Sequence, residues 1–113
     1  PLNRLGQERY LRWQLEQDPS LVDMTMVTPH EPPQPRSNLK DPIPCVARAV
    51  GPAGQEFTLV CSVGVDVDLV GFVADVQSTA GTAVIVVLRE RDAISLTREL
   101  LALLATPVDI RTV

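Results

Sequence analysis

Four carboxylates are the first candidates for chemistry in this chain. Asp66 and Asp68 stand two apart in Gly64-Val65-Asp66-Val67-Asp68, and Glu90 and Asp92 stand two apart in Arg89-Glu90-Arg91-Asp92. Carboxylate oxygens of this kind suit a hard cation such as Mg2+, which binds one or two protein carboxylates and completes its shell with water. On that reading a metal-dependent hydrolase uses Asp66, Asp68 and Glu90 in catalysis, and Asp66, Asp68 and Asp92 hold the metal. The competing assignment is plainer. Each segment precedes a helical pattern, where aspartate is expected as an N-cap, and Glu90, Arg89 and Arg91 then lie in solvent. The one histidine, His30, falls in a proline-rich stretch that is a poor support for a general base. Cys45 and Cys61 form no CxxC pair and read as small buried hydrophobes near one another. No phosphate-binding glycine motif is present, and the acidic loops would repel phosphate.

A second group of residues points to binding rather than catalysis. Tyr10 and Trp13, the only residues of their kinds, stand i and i+3 on an N-terminal helical segment. Leu5, Leu11 and Leu15 mark that segment's apolar side and leave the two rings on its flank. Rings placed so can cover the core edge or form a second contact face, since Tyr and Trp are typical interface anchors. Val22, Met24 and Met26 alternate with Asp23 and Thr25, as in a short edge strand that could also pair with a partner's sheet. Tyr10, Trp13, Met24 and Met26 are therefore the candidate partner-binding residues.

The elements that must position these groups can be read from periodicity and punctuation. A helix is expected from Arg4 to Glu16, with Asn3 as N-cap and Asp18-Pro19 as its stop. A short strand follows over 21–27. Six prolines between positions 29 and 44 then mark an extended strap from Thr28 to Pro44, a linker or a partner-binding segment. Cys45–Val50 and Glu56–Val63 flank Gly51-Pro52-Ala53-Gly54-Gln55 and predict a hairpin. In 65–77, Leu69, Phe72, Val73 and Val76 fit an amphipathic helix capped by Asp66 or Asp68, while a period-2 reading makes the same stretch a strand. Thr82–Leu88 reads as a central strand covered on both faces. A helix over 93–105 with Asp92 as N-cap presents Ile94, Leu96, Leu100, Leu101, Leu103 and Leu104 on one half, and 108–113 alternates as a last strand.

These elements predict an α/β (α+β) fold: an N-terminal helix and Pro-rich strap, then a β-hairpin continuing into β-α-β-α-β, with a mixed sheet of about four strands. Right-handed crossovers place the two later helices on one face. The chain divides into an arm and strap, 1–44, and a small core, 45–113.

Under the all-strand reading of 65–77 the order becomes α, β, β, β, α, β. That order resembles the core of the PD-(D/E)XK nuclease-like fold, and Gly64-Val65-Asp66-Val67-Asp68-Leu69-Val70 is similar to its metal-binding Asp segment. The resemblance covers 45–113 and implies Glu-x-Lys on the next strand. Val86-Val87-Leu88-Arg89 stands there instead, with Val87 at the Glu position and only a cation at Arg89. It therefore implies a catalytically impaired member used for binding.

Composition bounds the remaining choices. The 113 residues carry 10 Lys+Arg against 14 Asp+Glu, a formal net charge of −4, which speaks against a protein that coats nucleic acid. The arm holds five basic and six acidic residues and the core five and eight, so most of the negative charge lies in the core. Apolar residues make up 45% and aromatics 4%, so the core must be aliphatic. No apolar run is long enough to span a membrane. The expectation is a soluble, cytoplasmic, non-catalytic interaction domain, a subunit of a larger complex or a homo-oligomer, with a protein partner and no cofactor. A core of this size is marginal alone and calls for its arm or a partner.

Overall fold

The computed structural model describes residues 4–32 and 44–113. Its order is α1 (Arg4–Gln17), β1 (Met26–His30), β2 (Cys45–Val50), β3 (Glu56–Ser62), α2 (Leu69–Ala80), β4 (Ala83–Leu88), α3 (Ser95–Leu101) and β5 (Asp109–Thr112). Single turns of 3-10 helix occupy Pro19–Val22 and Glu90–Asp92. One mixed sheet runs β1-β2-β3-β4-β5 in chain order. The β1-β2 and β2-β3 pairs are antiparallel, and β3-β4 and β4-β5 are parallel.

The hairpin forms where the glycines and proline lie. Gly54 N–H donates to Gly51 O and Gly51 N–H to Gln55 O, and Gly54 adopts φ +82°. A turn followed by a left-handed residue reverses the chain with the twist the strands require, and glycine holds that conformation without a Cβ penalty. The parallel pairs need crossovers, which α2 and α3 supply.

Alternating strand residues sort into two aliphatic cores. Toward α1 point Cys45, Ala47, Ala49, Leu59, Cys61, Ile85 and Val87, which pack with Leu11, Leu15, Val22, Met24 and Val27. Toward α2 and α3 point Val46, Val60, Val84, Val86 and Leu88, which pack with Leu69, Val73, Val76 and Leu101. Both later helices therefore lie on one face and α1 lies on the other. β3 and β4 are covered on both sides, as the uninterrupted apolar run Ala83–Leu88 requires.

The structure departs from the sequence expectations at three places. The sheet has five strands rather than about four, because the arm contributes β1. The strand expected over 21–27 lies instead at Met26–His30. Asp23 takes a left-handed conformation (φ 59°) and closes the preceding turn, with Met24 N–H donating to Pro19 O. Aspartate is one of the few residues that tolerates this region. β1 contains Pro29, which an edge strand accommodates because no neighbour needs its N–H. The helix expected over 93–105 is shorter, Ser95–Leu101, and begins after Ile94 rather than Asp92. In 65–77 the helix stands, so the strand reading on which the nuclease-like resemblance was built fails. The order α, β, β, β, α, β is nevertheless present as α1, β1, β2, β3, α2, β4. No carboxylate follows Glu56 on β3, β4 has none, and neither strand carries a Lys or Arg. Asn3, the Leu5 side chain and the strap residues 33–43 lie outside the described residues.

Candidate functional site: the α1 outer face and the strand-end loops

Helix α1 packs with an unusual orientation. Leu11 and Leu15 point into the core as expected, and Glu8 joins them, 0% exposed. Arg12 lies at the border, where its Nη1 donates to Val46 O (3.2 Å) and its Nε faces Glu16 Oε2 at 3.6 Å. Tyr10 and Trp13 turn outward, 46% and 51% exposed, and stack on each other with ring centroids 5.8 Å apart and an interplanar angle of 19°. Polar groups thus line part of the inner side of α1, and its two rings lie on the outside.

The ends of β3 and β4 complete this surface. Gln7, Tyr10, Val63, Arg89 and Arg91 line an open cleft of about 310 Å³. Arg89 Nη2 donates to Gln14 Oε1 (2.5 Å), which ties the β4 end to α1. The Arg91 side chain is 72% exposed, with its Nε 3.9 Å from Asp92 Oδ1.

The four carboxylates do not converge. Asp92 is buried, and its Oδ2 accepts the Gly64 N–H at 2.8 Å, bridging the loops that leave β3 and β4. Gly64 has φ +82°, a backbone shape that favours glycine at the point where its N–H meets the carboxylate. Asp66 Oδ1 accepts the Asp68 N–H at 2.9 Å. Asp68 occupies the residue before α2 but makes no side-chain cap bond, and Glu90 is exposed. Among the described residues no group of three His, Cys, Asp or Glu side chains could hold a metal ion. Asp92 therefore secures a loop rather than capping α3, because it ends a 3-10 turn and Ala93 and Ile94 separate it from the helix start at Ser95.

The two methionines separate. Met24 is buried in the α1-side core. Met26, one step beyond Thr25 and already in the strand, is 55% exposed and lines a different cleft, of about 260 Å³, with Thr28, Arg48, Ala49, Val50 and Glu56. His30 lines a third cleft with Glu31, Arg48 and Thr79.

Cys45 and Cys61 face each other across β2 and β3 and are buried and unbridged. Burial pushes the Cys61 thiol far above its ordinary range. The opposing Cys45 adds to this, Arg12 lowers it, and Glu8 and Glu16 raise it further. Such a thiol is held protonated and unreactive.

No family model, no curated protein and no solved structure matches the chain.

Sequence reasoning missed the buried Glu8 and the cleft that joins Tyr10 to Arg89 and Arg91. Glu8 stands i, i+3 and i+7 with Leu11 and Leu15, so the helical wheel already put it on the apolar side; charge alone argued it outward. The cleft depends on how α1 crosses the strand ends, which no local pattern encodes.

Proposed function

We propose that this chain is a non-catalytic α/β interaction domain, a cytoplasmic subunit or assembly module of a larger complex or a homo-oligomer, which docks through the outer face of α1. The observation that carries this reading is the Tyr10–Trp13 pair, half-exposed and stacked on a helix whose inner face has taken up Glu8. In a chain with 4% aromatics, its only tyrosine and only tryptophan contribute little to its own core. Two rings already stacked bring large contact area at small entropic cost, which is the economy of interface anchors. Met26 on the open edge strand is a secondary contact. The metal-dependent hydrolase has no comparable support, since Asp92 is engaged with Gly64 and Asp66 with Asp68.

The test is site-specific photocrosslinking of the full chain in cells, with p-benzoylphenylalanine at position 13 and, as control, at the exposed position 53. A discrete adduct from position 13 alone, either a second copy or one defined partner, is the expected result. Equal labelling from both positions, or none from position 13, overturns the reading. Light scattering then separates self-association from a foreign partner, because a homo-oligomer must exceed 12.3 kDa.

A further inference from the structure

Resting on the reading of the α1 outer face as a docking surface, we infer that its partner is a short acidic segment of another protein, one that sets a carboxylate on Arg91 and Arg89 and an apolar side chain on the Tyr10–Trp13 rings. The charge around the cleft carries this inference. The protein as a whole is negative, at −4, yet two of the five residues lining the cleft are arginines. Arg91 is 72% exposed, and the Asp92 carboxylate 3.9 Å from its Nε already accepts the Gly64 N–H. Arg89 spends one nitrogen on Gln14, and its guanidinium has further donors. Arg9, exposed and next to Tyr10 in sequence, adds a third cation to this side of α1. The helix's own Glu16 faces Arg12 at 3.6 Å and so does not neutralise this surface.

Guanidinium groups bind carboxylates through paired N–H donors, and an acidic motif read by clustered arginines is a recurrent mode of peptide recognition. Charge also decides what the partner is not. A nucleic acid binds through many phosphates, and a chain of net charge −4 with two arginines at the cleft offers few cations to meet them. The open form of the cleft likewise suits an extended peptide better than a small molecule, which needs a site that surrounds it.

The probe is a capped hexapeptide of alternating glutamate and leucine, compared with its glutamine counterpart. Binding is read from the fluorescence of Trp13, the chain's sole tryptophan, at about 50 mM salt where screening is weak. The glutamate peptide is expected to bind roughly tenfold tighter than the glutamine peptide, and Arg91→Glu to abolish the difference. Arg91 is exposed, so this variant keeps the native thermal transition, which is checked in the same samples. Equal affinity for the two peptides overturns the acidic partner while leaving the docking face in place. A Trp13 signal that responds to neither peptide also overturns it. Failure of the docking face itself is seen separately, as loss of the crosslink from position 13.

Discussion

Helices α1 and α2 cover opposite faces of the same sheet in opposite ways. In α2 the sequence and the packing agree: Leu69, Val73 and Val76 point inward and Asp75 and Ser78 outward. In α1 a carboxylate is buried and two aromatic rings are exposed. Helix α2 sorts apolar residues inward and polar ones outward, whereas α1 follows that rule only in part. Exposing Tyr10 and Trp13 forgoes the burial of large apolar surface.

If the inner side of α1 holds the fold and the outer side does not, the largest effect belongs to Leu15. Leu15→Ala removes a fully buried side chain and is expected to cost about 2–5 kcal/mol, depending on how far the site collapses. Urea unfolding measures it. A loss under about 1 kcal/mol would mean that α1 is not integral to the core.

The next effect tests whether Asp92 is structural rather than metal-binding. Asp92→Ala leaves the Gly64 N–H without its acceptor and is expected to cost about 1.5–3 kcal/mol, as for hydrogen bonds to charged groups. Asp92→Asn retains an acceptor oxygen and should recover most of that. Melting temperatures of the two variants, with and without millimolar Mg2+, decide the point. A metal-dependent shift in the parent chain, lost in both variants, would restore the metal reading.

These two positions also show what was legible in the sequence. The i, i+3, i+4, i+7 spacing of Leu69, Phe72, Val73 and Val76 identified α2, and the glycines and proline around position 52 identified the hairpin. Both signals are local, and nothing in the tertiary structure opposes them. The start of β1 was not legible, because it depends on Asp23 adopting a left-handed conformation within an alternating pattern. The role of Asp92 was not legible either, because its partner Gly64 lies 28 residues away. The leucines after Ser95 match a helical wheel through Leu104, but Leu103 N–H donates to Leu100 O and Leu104 N–H to Leu101 O, so the chain tightens and leaves the helix. Ile94, Leu96 and Leu103 are exposed, with no described element packed over them.

Cys61 provides a pH test of the inner face. Its thiol is raised by burial from an ordinary value of 9.0, so the folded chain retains its proton where the unfolded chain loses it. The unfolded state then binds fewer protons, and stability falls as pH rises. The contribution is complete below the unfolded value and declines above about pH 9 by roughly 1.4 kcal/mol per unit. Denaturant midpoints between about pH 8 and 10.5 should show this slope in the parent chain and a flatter one in Cys61→Ala. Thiol titration should find Cys61 inert until denaturant is added. A rapidly labelled Cys61 in native conditions would mean that α1 opens readily from the sheet.

The smallest expected effect is the most informative about α1. Tyr10→Ser and Trp13→Ser together remove both rings, yet each is about half in water and neither belongs to either core. Their mutual stacking is worth at most about 0.5–1.5 kcal/mol, and exposed surface changes usually fall within about 0.5 kcal/mol. The double variant should therefore unfold within about 1 kcal/mol of the parent. Set against the loss at Leu15, two turns of one helix would then divide between a side required by the fold and a side the fold can do without. A loss near that of Leu15→Ala would erase this division and return both rings to the core edge. Near-parental stability would show that the fold does not depend on the rings, as the docking proposal requires.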